Sequence, residues 1–193
     1  VEAFYARRGL PVRFQLNPSS QPVDLDAHLD ARGYTVDSAI TSVQVAAIST
    51  LVAHGSGVAE VREQPDAAWL AAYWASEGIA DPRKQQAQQQ MLARIGPPAG
   101  FATLLIDGEV AALALGVVER GWLGIFSVAT VPAYRRRGLG TQALADLAIW
   151  AQHHGADHCY LQVMHANAPA LALYRRLGFE PRYDYWYRVK WAN

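Results

Sequence analysis

"VPAYRRRGLGTQAL", residues 131–144, places three consecutive arginines and two glycines, Gly138 and Gly140, where an apolar helical pattern begins. The first N–H groups of a helix have no acceptor within the helix, and the helix dipole favours negative charge there. Glycine keeps side chains away from these amides, so a bulky anion can approach the backbone. Each amide bond to a charged acceptor contributes about 1.5–3 kcal/mol, against about 0.3–1 kcal/mol for the dipole. The stretch therefore predicts an anion site built mainly from backbone amides.

Two common phosphate motifs fit this stretch less well. A Walker loop needs Gly-Lys-Ser/Thr, whereas Gly140 is followed directly by Thr141. A dinucleotide fingerprint with Ala143 in its third glycine position fits the spacing, but it also needs an acidic residue at the end of the next strand. Asp157 lies before that strand. The dinucleotide interpretation stays open as a less favoured alternative.

The flanking sequence predicts alternating strands and helices. "FATLLI" and "EVAALALGVV" are joined by Asp107-Gly108, which favours a type I′ hairpin. A turn at 119–121 leads into "WLGIFSVATV", and the helix that follows runs to Gly155. A strand "HCYLQVM", a short helix "NAPALALYRRLG" and a strand "YDYWYRV" come next, and residues 64–95 predict two helices upstream. This order predicts an α/β fold with a mixed sheet, in which a crossover makes two strands parallel.

The first fifty residues contain a short internal echo. "FYARRGL" at 4–10 resembles "LYRRLGF" at 173–179, with Tyr5 matching Tyr174 and Gly9 matching Gly178. The echo predicts that the chain opens in the closing elements of an earlier, similar half. With "HGSG" at 54–57 as the boundary, the predicted domains are an N-terminal α/β segment at 1–53 and a second domain at 54–193.

Composition limits the classes of partner. Seventeen basic and seventeen acidic residues give a net charge of zero, so no general attraction to nucleic acid or anionic membrane is expected. The sequence has neither a long apolar run nor a leader pattern, and its single cysteine, Cys159, fits a reducing cytoplasm. His153, His154 and His158 cluster in sequence, but Gly155 interrupts the helical spacing that a metal pair needs, so no metal is predicted.

The motifs resemble one enzyme superfamily. Arg135-Arg136-Arg137-Gly138-Leu139-Gly140 matches Arg/Gln-x-x-Gly-x-Gly/Ala, the acyl-CoA pyrophosphate motif of the GCN5-related N-acetyltransferases (GNAT), and Val131-Pro132 looks like the step that precedes it there. "LQVMHANAPALALYRRLGF" is similar to the later family block, an asparagine followed by a helix with "LY-x-x-x-GF". The resemblance covers about residues 57–190 and implies the acyl-CoA N-acyltransferase fold. The opening segment suggests the tandem subset, in which one half has lost its motif.

The resemblance implies roles for individual residues. The amides of Arg136 to Thr141 would hold the pyrophosphate of acetyl-CoA, with Arg135–Arg137 supplying charge. The backbones of Val128, Ala129 and Thr130 would pair with the pantetheine arm as an added strand does. Asn167 would contact the same arm, or serve only as a helix N-cap. Tyr174 would protonate the leaving thiolate; the plainer interpretation is an aromatic that packs on its neighbours.

The general base is the gap in the pattern. Many family members carry a carboxylate on the motif-bearing strand, where this sequence has Phe126 and Ser127. Glu119, Glu109 and Ser127 acting through water are the remaining candidates, and a backbone amide near Val128 would meet the oxyanion. Cys159 is expected to be a buried core residue and not a nucleophile.

The sequence therefore predicts a cytoplasmic acetyl-CoA-dependent N-acetyltransferase. Its acceptor would be a primary amine of a small molecule or peptide, attacked directly in a ternary complex, and a homodimer is left open. A CoA-binding module without chemistry is the rival from another class, and a longer acyl group is a third alternative. Trp69, Tyr73 and Trp74 on the first predicted helix are expected to be core, with some of them bordering an apolar acceptor pocket.

Overall fold

Strands and helices follow one another in the predicted order over residues 64–190, in a computed structural model that describes residues 1–37 and 40–191. The observed elements confirm the α/β class and the mixed sheet. In chain order they are α1 (Glu2–Ala6), β1 (Val12–Leu16), α2 (Leu25–Ala31), β2 (Thr35–Val36), β3 (Thr41–Ala47), α3 (Ile48–Val52), β4 (Glu60–Arg62), α4 (Ala67–Ser76), α5 (Pro82–Leu92), β5 (Ala99–Ile106), β6 (Glu109–Glu119), β7 (Trp122–Thr130), α6 (Leu139–His153), β8 (His158–Met164), α7 (Ala168–Arg176) and β9 (Glu180–Lys190).

The chain divides into two compact units. One comprises Val1–Gln44, Gln162–Ala172 and Pro181–Asn193, and the other comprises Val45–Leu161 and Leu173–Glu180. We call them the terminal unit and the central unit. This division follows spatial contacts and does not test the predicted boundary at residue 53, which stays a prediction.

In the central unit, β4, β5, β6 and β7 pair antiparallel, and β8 pairs parallel with β7. The hairpins form at the predicted turns, where Asp107 and Gly108 have φ of 52° and 81°, and Arg120 and Gly121 have φ of 53° and 80°. Positive φ at both central residues is what a type I′ turn requires. The helix α6 supplies the predicted crossover between the parallel strands.

The two faces of this sheet are covered by different helices. Gly100 and Gly116 lie opposite each other on β5 and β6. A Cβ at Gly100 would lie 2.7 Å from the Trp150 ring, and one at Gly116 would lie 2.9 Å from Leu147. These glycines therefore let α6 pack closely on one face. On the other face, a core cluster joins α4 and α5 to the strands through Trp69, Leu70, Tyr73, Leu92, Phe101, Leu113 and Leu115.

The predicted boundary segment at 54–57 is fixed to α6 by a buried carboxylate. Asp146, 4% exposed, accepts backbone N–H bonds from Ser56 and Gly57 on one oxygen and from Ala59 on the other, each 2.8 Å long. The Gln142 side chain also donates to the Ser56 hydroxyl. This segment is therefore an ordered part of the central unit.

The terminal unit contains β1, β9 and β3 in that order, with β2 pairing β9. Its polar centre is Arg188, whose guanidinium donates to both Asp26 oxygens at 2.9 and 2.8 Å and to Asp30 at 2.6 Å. Trp186 adds an indole bond of 2.8 Å to Asp26. The network ties α2 to β9 at the edge of a small apolar cluster.

The internal echo has matching local geometry. The Tyr5 carbonyl accepts from the N–H of Arg8 and Leu10, and the Tyr174 carbonyl accepts from the N–H of Leu177 and Phe179. Gly9 and Gly178 have φ of 61° and 84°. Both segments are thus a helix end, a left-handed glycine and a following strand, as the tandem interpretation expects. Within residues 1–37 and 40–191, no helix is long and apolar enough to cross a membrane.

Candidate active site

The anion loop connects the end of β7 to α6. A single 3₁₀ turn at Pro132–Tyr134 follows Val131, and Arg136 and Gly138 then take left-handed φ of 62° and 78°. The Arg135 side chain donates to the Thr130 carbonyl at 3.2 Å, which fixes the loop to the strand. The alternation of right- and left-handed residues gathers successive N–H groups into a concave surface of the kind that holds anions.

The amides of this loop are available to a ligand. The Gln142 N–H bonds to the Gly138 carbonyl at 3.1 Å and starts the helical ladder. Within the described parts of the chain, the N–H groups of residues 136–141 have no protein acceptor. Arg136 has no ion-pair partner among those same residues, whereas Arg137 lies 5.5 Å from the Tyr134 ring centroid. Donor groups and positive charge therefore meet where the sequence predicts the pyrophosphate.

The two motif glycines act differently from each other. A Cβ at Gly138 would meet nothing within 4 Å, so glycine is needed there for its positive φ. A Cβ at Gly140 would lie 3.2 Å from the Thr130 hydroxyl and 3.7 Å from Leu173, so glycine is needed there for close packing. Gly138 shapes the anion loop, and Gly140 brings α6 against β7.

A β-bulge interrupts β7 beside this loop. Leu113 and Leu115 of β6 pair with Ala129 and Phe126 of β7, so β7 has one residue more than β6 over this interval. The extra backbone includes Ser127, whose φ is 51°. A bulge leaves one residue outside the strand ladder. It lies next to Val128, near which the sequence predicts the amide that meets the oxyanion.

The pairing of β7 with β8 stops short of the bulge. Parallel partners run from Trp122↔His158 to Ile125↔Leu161, whereas the antiparallel pairing of β7 with β6 continues to Thr130. The side of β7 that faces away from β6 is therefore open to an extended ligand along residues 128–130. This is the strand-addition geometry expected for the pantetheine arm.

A cavity of about 580 Å³ begins at the bulge. Its floor is one face of the sheet, where register places Phe126 opposite Leu115, Gly124 between Val117 and Tyr160, and Trp122 between Glu119 and His158. Tyr73 of α4 and the end of α5 cover it. The lining residues are Tyr73, Met91, Leu92, Ile95, Leu115, Val117, Glu119, Arg120, Trp122, Phe126, Ser127 and Tyr160.

Ser127 and Glu119 line the same cavity from opposite ends. Glu119 pairs with Trp122, and Ser127 follows Trp122 by five residues, which is about 15 Å along a strand. The Glu119 carboxylate faces Arg120 at 3.7 Å and is largely exposed. Glu109 lies at the other end of β6 and is not among the cavity residues. Glu119 therefore reaches a group at Ser127 only through water, and Glu109 is separated from the cavity.

Tyr174 lies in α7 directly after Leu173, which approaches the first turn of α6. Its side chain is 7% exposed and packs edge-on against Phe179 at 5.7 Å. Burial raises the pKa of Tyr174 to about 12. Among residues 1–37 and 40–191 its hydroxyl has no hydrogen-bond partner. The structure thus holds a neutral phenol with a free donor, and also shows the aromatic packing of the plainer interpretation.

Asn167 caps α7. Its side-chain oxygen accepts from the Ala170 N–H at 3.2 Å, and its carbonyl accepts from the Leu171 N–H at 3.0 Å. The N-cap role is therefore present, while the contact with the pantetheine arm stays a prediction.

The remaining chemically interesting residues have structural environments. Cys159 is fully buried, and burial raises the pKa of its thiol to about 12, so it is a core residue. His154 contacts the Trp150 carbonyl at 2.8 Å, and His158 stacks on Trp122 at 4.9 Å. No cluster of three or more potential metal ligands occurs in the described stretches.

Three features escaped the sequence reasoning. The bulge at Ser127 has no sequence marker, because the positive φ falls on a non-glycine residue. Gly124 and Tyr160 of the cavity floor were also missed. The period-2 alternation of Trp122, Gly124 and Phe126 was a signal that these positions share a face.

Comparisons with known proteins agree on one family. The model of the Acetyltransferase (GNAT) family matches residues 66–179, more than half of the chain. The chain is 28% identical to the uncharacterized N-acetyltransferase YobR of Bacillus subtilis over 98% of its own length and 77% of that protein. It is 37% identical to the [ribosomal protein bS18]-alanine N-acetyltransferase of Escherichia coli K12 over 38% of its length and 49% of that enzyme.

A solved structure agrees at the level of the fold. The chain resembles a GCN5-related N-acetyltransferase from Kribbella flavida with a TM-score of 0.70 at 21% identity, over 98% of this chain and 72% of that one.

Proposed function

We propose, from the premise that this chain belongs to the GNAT family of acetyl-CoA-dependent acetyltransferases, that it acetylates a primary amine of a small molecule or peptide. The observation that carries the proposal is the union of two features on one strand. The bulge of β7 lies between an anion loop with unsatisfied amides and a cavity large enough for an acceptor. The setting we propose is cytoplasmic.

Acetyl-CoA supplies an acyl thioester, and the residues of this chain bind and orient it. The amides of Arg136–Thr141 would hold the pyrophosphate, with Arg136 supplying charge. The backbone of Val128–Thr130 would pair with the pantetheine amides, and Asn167 would contact the same arm. An N–H group freed by the bulge would then face the thioester carbonyl oxygen and stabilise the negative charge that develops there.

The transfer exchanges one bond for another. The amine nitrogen forms the new C–N bond while the C–S bond breaks, and the proton that the amine loses balances the one that the thiolate gains. An alkylammonium with a pKa near 10.4 costs about 5 kcal/mol to deprotonate at pH 7. Ser127 is the proposed relay of this proton to water, and Glu119 at the far end of the cavity is the proposed final acceptor.

Tyr174 is the proposed donor to the leaving sulfur. With a pKa of about 12, its phenol is protonated at any working pH. Full proton transfer to a thiolate whose conjugate acid has a pKa near 8.5 is uphill by about 5 kcal/mol. We therefore propose that Tyr174 donates a hydrogen bond while charge builds on the sulfur, and that the proton itself arrives later.

The test combines binding with turnover. Calorimetric titration with acetyl-CoA should show binding, and Tyr174→Phe should leave its Kd within twofold. The same variant should lower kcat by about 10- to 150-fold, the equivalent of one hydrogen bond to a charged group. Tyr34→Phe, another buried tyrosine, is the matched control and should leave kcat unchanged. Absence of binding at millimolar acetyl-CoA would contradict the proposal.

The rival function is a CoA-binding module without chemistry. Its support is that no carboxylate of the cavity lies within direct reach of the bulge. A thiol-release screen over amino acids, polyamines, aminoglycosides and peptides separates the two, because turnover of any acceptor removes the rival. The same screen with longer acyl-CoA donors tests the third alternative.

A further inference from the structure

The walls of the acceptor cavity have a consistent chemistry. Trp122 and Tyr160 contact edge-on at 6.4 Å, and Phe126 and Tyr160 do so at 6.3 Å, so three rings of neighbouring strands form a continuous surface. Trp122 and Phe126 are each 38% exposed although both are large apolar residues. Partly exposed aromatic surface inside a cavity is where burial of a ligand's apolar group contributes most to affinity.

Gly124 is what allows these rings to lie flat on the floor. A Cβ at this position would lie 2.7 Å from the Tyr160 hydroxyl oxygen and 2.9 Å from the Phe126 ring. The φ of Gly124 is not positive, so the backbone does not require glycine here. The missing side chain therefore serves the shape of the cavity, because any larger residue would displace the two rings.

The charge of the cavity argues against a polycationic acceptor. Glu119 is the one carboxylate among its lining residues, and Arg120 lies 3.7 Å from it. A polyamine or an aminoglycoside carries several positive charges, each of which would lose hydration without gaining a counter-ion. A single amine on an apolar body meets no such cost, because its nitrogen can lie at the hydrated bulge while its body lies on the rings.

These observations lead to one substrate class, and the inference rests on the function proposed above. We propose that the acceptor is an arylalkylamine, a primary amine joined by a short chain to an aromatic ring. The nitrogen lies at Ser127, beside the bulge. The ring lies over Gly124 between Phe126 and Trp122, with Tyr160 beneath it, and the end of α5 covers it.

The first experiment compares acceptors at saturating acetyl-CoA by thiol release. The panel is 2-phenylethylamine, ethylamine, spermidine and a peptide with an N-terminal alanine. Each buried methylene is equivalent to about fourfold in kcat/KM, so 2-phenylethylamine should exceed ethylamine by at least about 30-fold. A kcat/KM for spermidine or for the peptide above that of 2-phenylethylamine would overturn the inference and leave the proposed function standing.

The second experiment locates the ring. Trp122→Ala should lower kcat/KM for 2-phenylethylamine by at least about tenfold, from lost burial and lost ring contact, and should leave ethylamine within twofold. Trp191→Ala is the matched control, since Trp191 is 66% exposed and lies outside the cavity; it should change neither substrate. Equal losses for both amines in Trp122→Ala would show that Trp122 acts on the fold, and would overturn the inference.

A third measurement separates the inference from the proposed function. If no amine releases thiol although acetyl-CoA binds, acetyl transfer fails as the function. Calorimetric titration of 2-phenylethylamine into the CoA-bound protein then decides the inference by itself. Binding that is lost in Trp122→Ala and kept in Trp191→Ala supports an arylalkylamine site, and absence of binding to the unsubstituted protein overturns it.

Discussion

Replacing Gly138 by alanine tests whether the backbone shape of the anion loop governs acetyl-CoA binding. Gly138 has φ of 78°, and a Cβ there would meet no atom within 4 Å. Gly138→Ala therefore adds no clash and removes no contact. Its one direct effect is to make the left-handed conformation unfavourable, by about 1–2 kcal/mol.

The size of the effect follows from the population of the loop. If the amides of residues 136–141 hold the pyrophosphate only in the observed conformation, the apparent Kd rises as the population of that conformation falls. A cost of about 1–2 kcal/mol corresponds to a Kd about 5- to 30-fold higher. Gly138→Asn should recover part of the loss, because asparagine tolerates left-handed φ better than alanine does.

The same helix offers a matched control. Gly155 follows the other end of α6, has φ of 83°, and its Cβ would also meet nothing within 4 Å. The two glycines are separated by the 15 residues of α6, which is about 22 Å of helix. Gly155→Ala should lower the free energy of unfolding by an amount similar to Gly138→Ala, and should leave the Kd unchanged.

The assay is calorimetric titration with acetyl-CoA at fixed ionic strength, beside urea unfolding of each variant. An unchanged Kd in Gly138→Ala would refute the reasoning, provided that Gly155→Ala shows the expected loss of stability. An equal rise of Kd in both variants would also refute it, since the effect would then be global.

Three further substitutions test the packing around the site. Asp146→Asn should lower the free energy of unfolding by about 2–4 kcal/mol in urea, because an amide cannot accept all three backbone N–H bonds that the carboxylate holds. Hydrogen bonds from Arg188 and Trp186 lower the pKa of Asp26 to about 2, so its stabilisation is complete above about pH 4 and is lost as the pH falls through 2; Asp26→Asn should remove this acid dependence from unfolding curves. Gln88→Leu should leave stability unchanged or raise it by about 1 kcal/mol in the same assay, because the buried Gln88 side-chain oxygen has no partner among the described residues.

The elements that sequence predicted well are those set by local physics. Asp107-Gly108 fixes a type I′ turn through the φ values of two residues, and the Asp81-Pro82 pair starts α5, with Asp81 accepting from the Arg83 N–H at 2.9 Å. The anion loop belongs to the same class, since the unsatisfied amides of a helix start are a property of any helix. Neither requires knowledge of a distant residue.

The cavity could not be predicted in this way, because its parts come from separate elements. Trp122, Gly124 and Tyr160 become neighbours only through the register of β7 and β8. Glu119 and Ser127 both remained candidates for the base until the length of β7 separated them. The bulge at Ser127 depends on how β6 and β7 pair, and nothing within either strand announces it.

The sequence by itself thus determined what this protein binds at its anion loop, because glycines, arginines and a helix start act over a few residues. Only the tertiary structure decided the form of the acceptor cavity and the environment of the candidate acid. Tyr174 is an ordinary tyrosine in the sequence, and its pKa of about 12 results from burial by residues that the fold brings around it. Pairing register and burial are collective properties, and they are fixed only when the strands and helices have packed together.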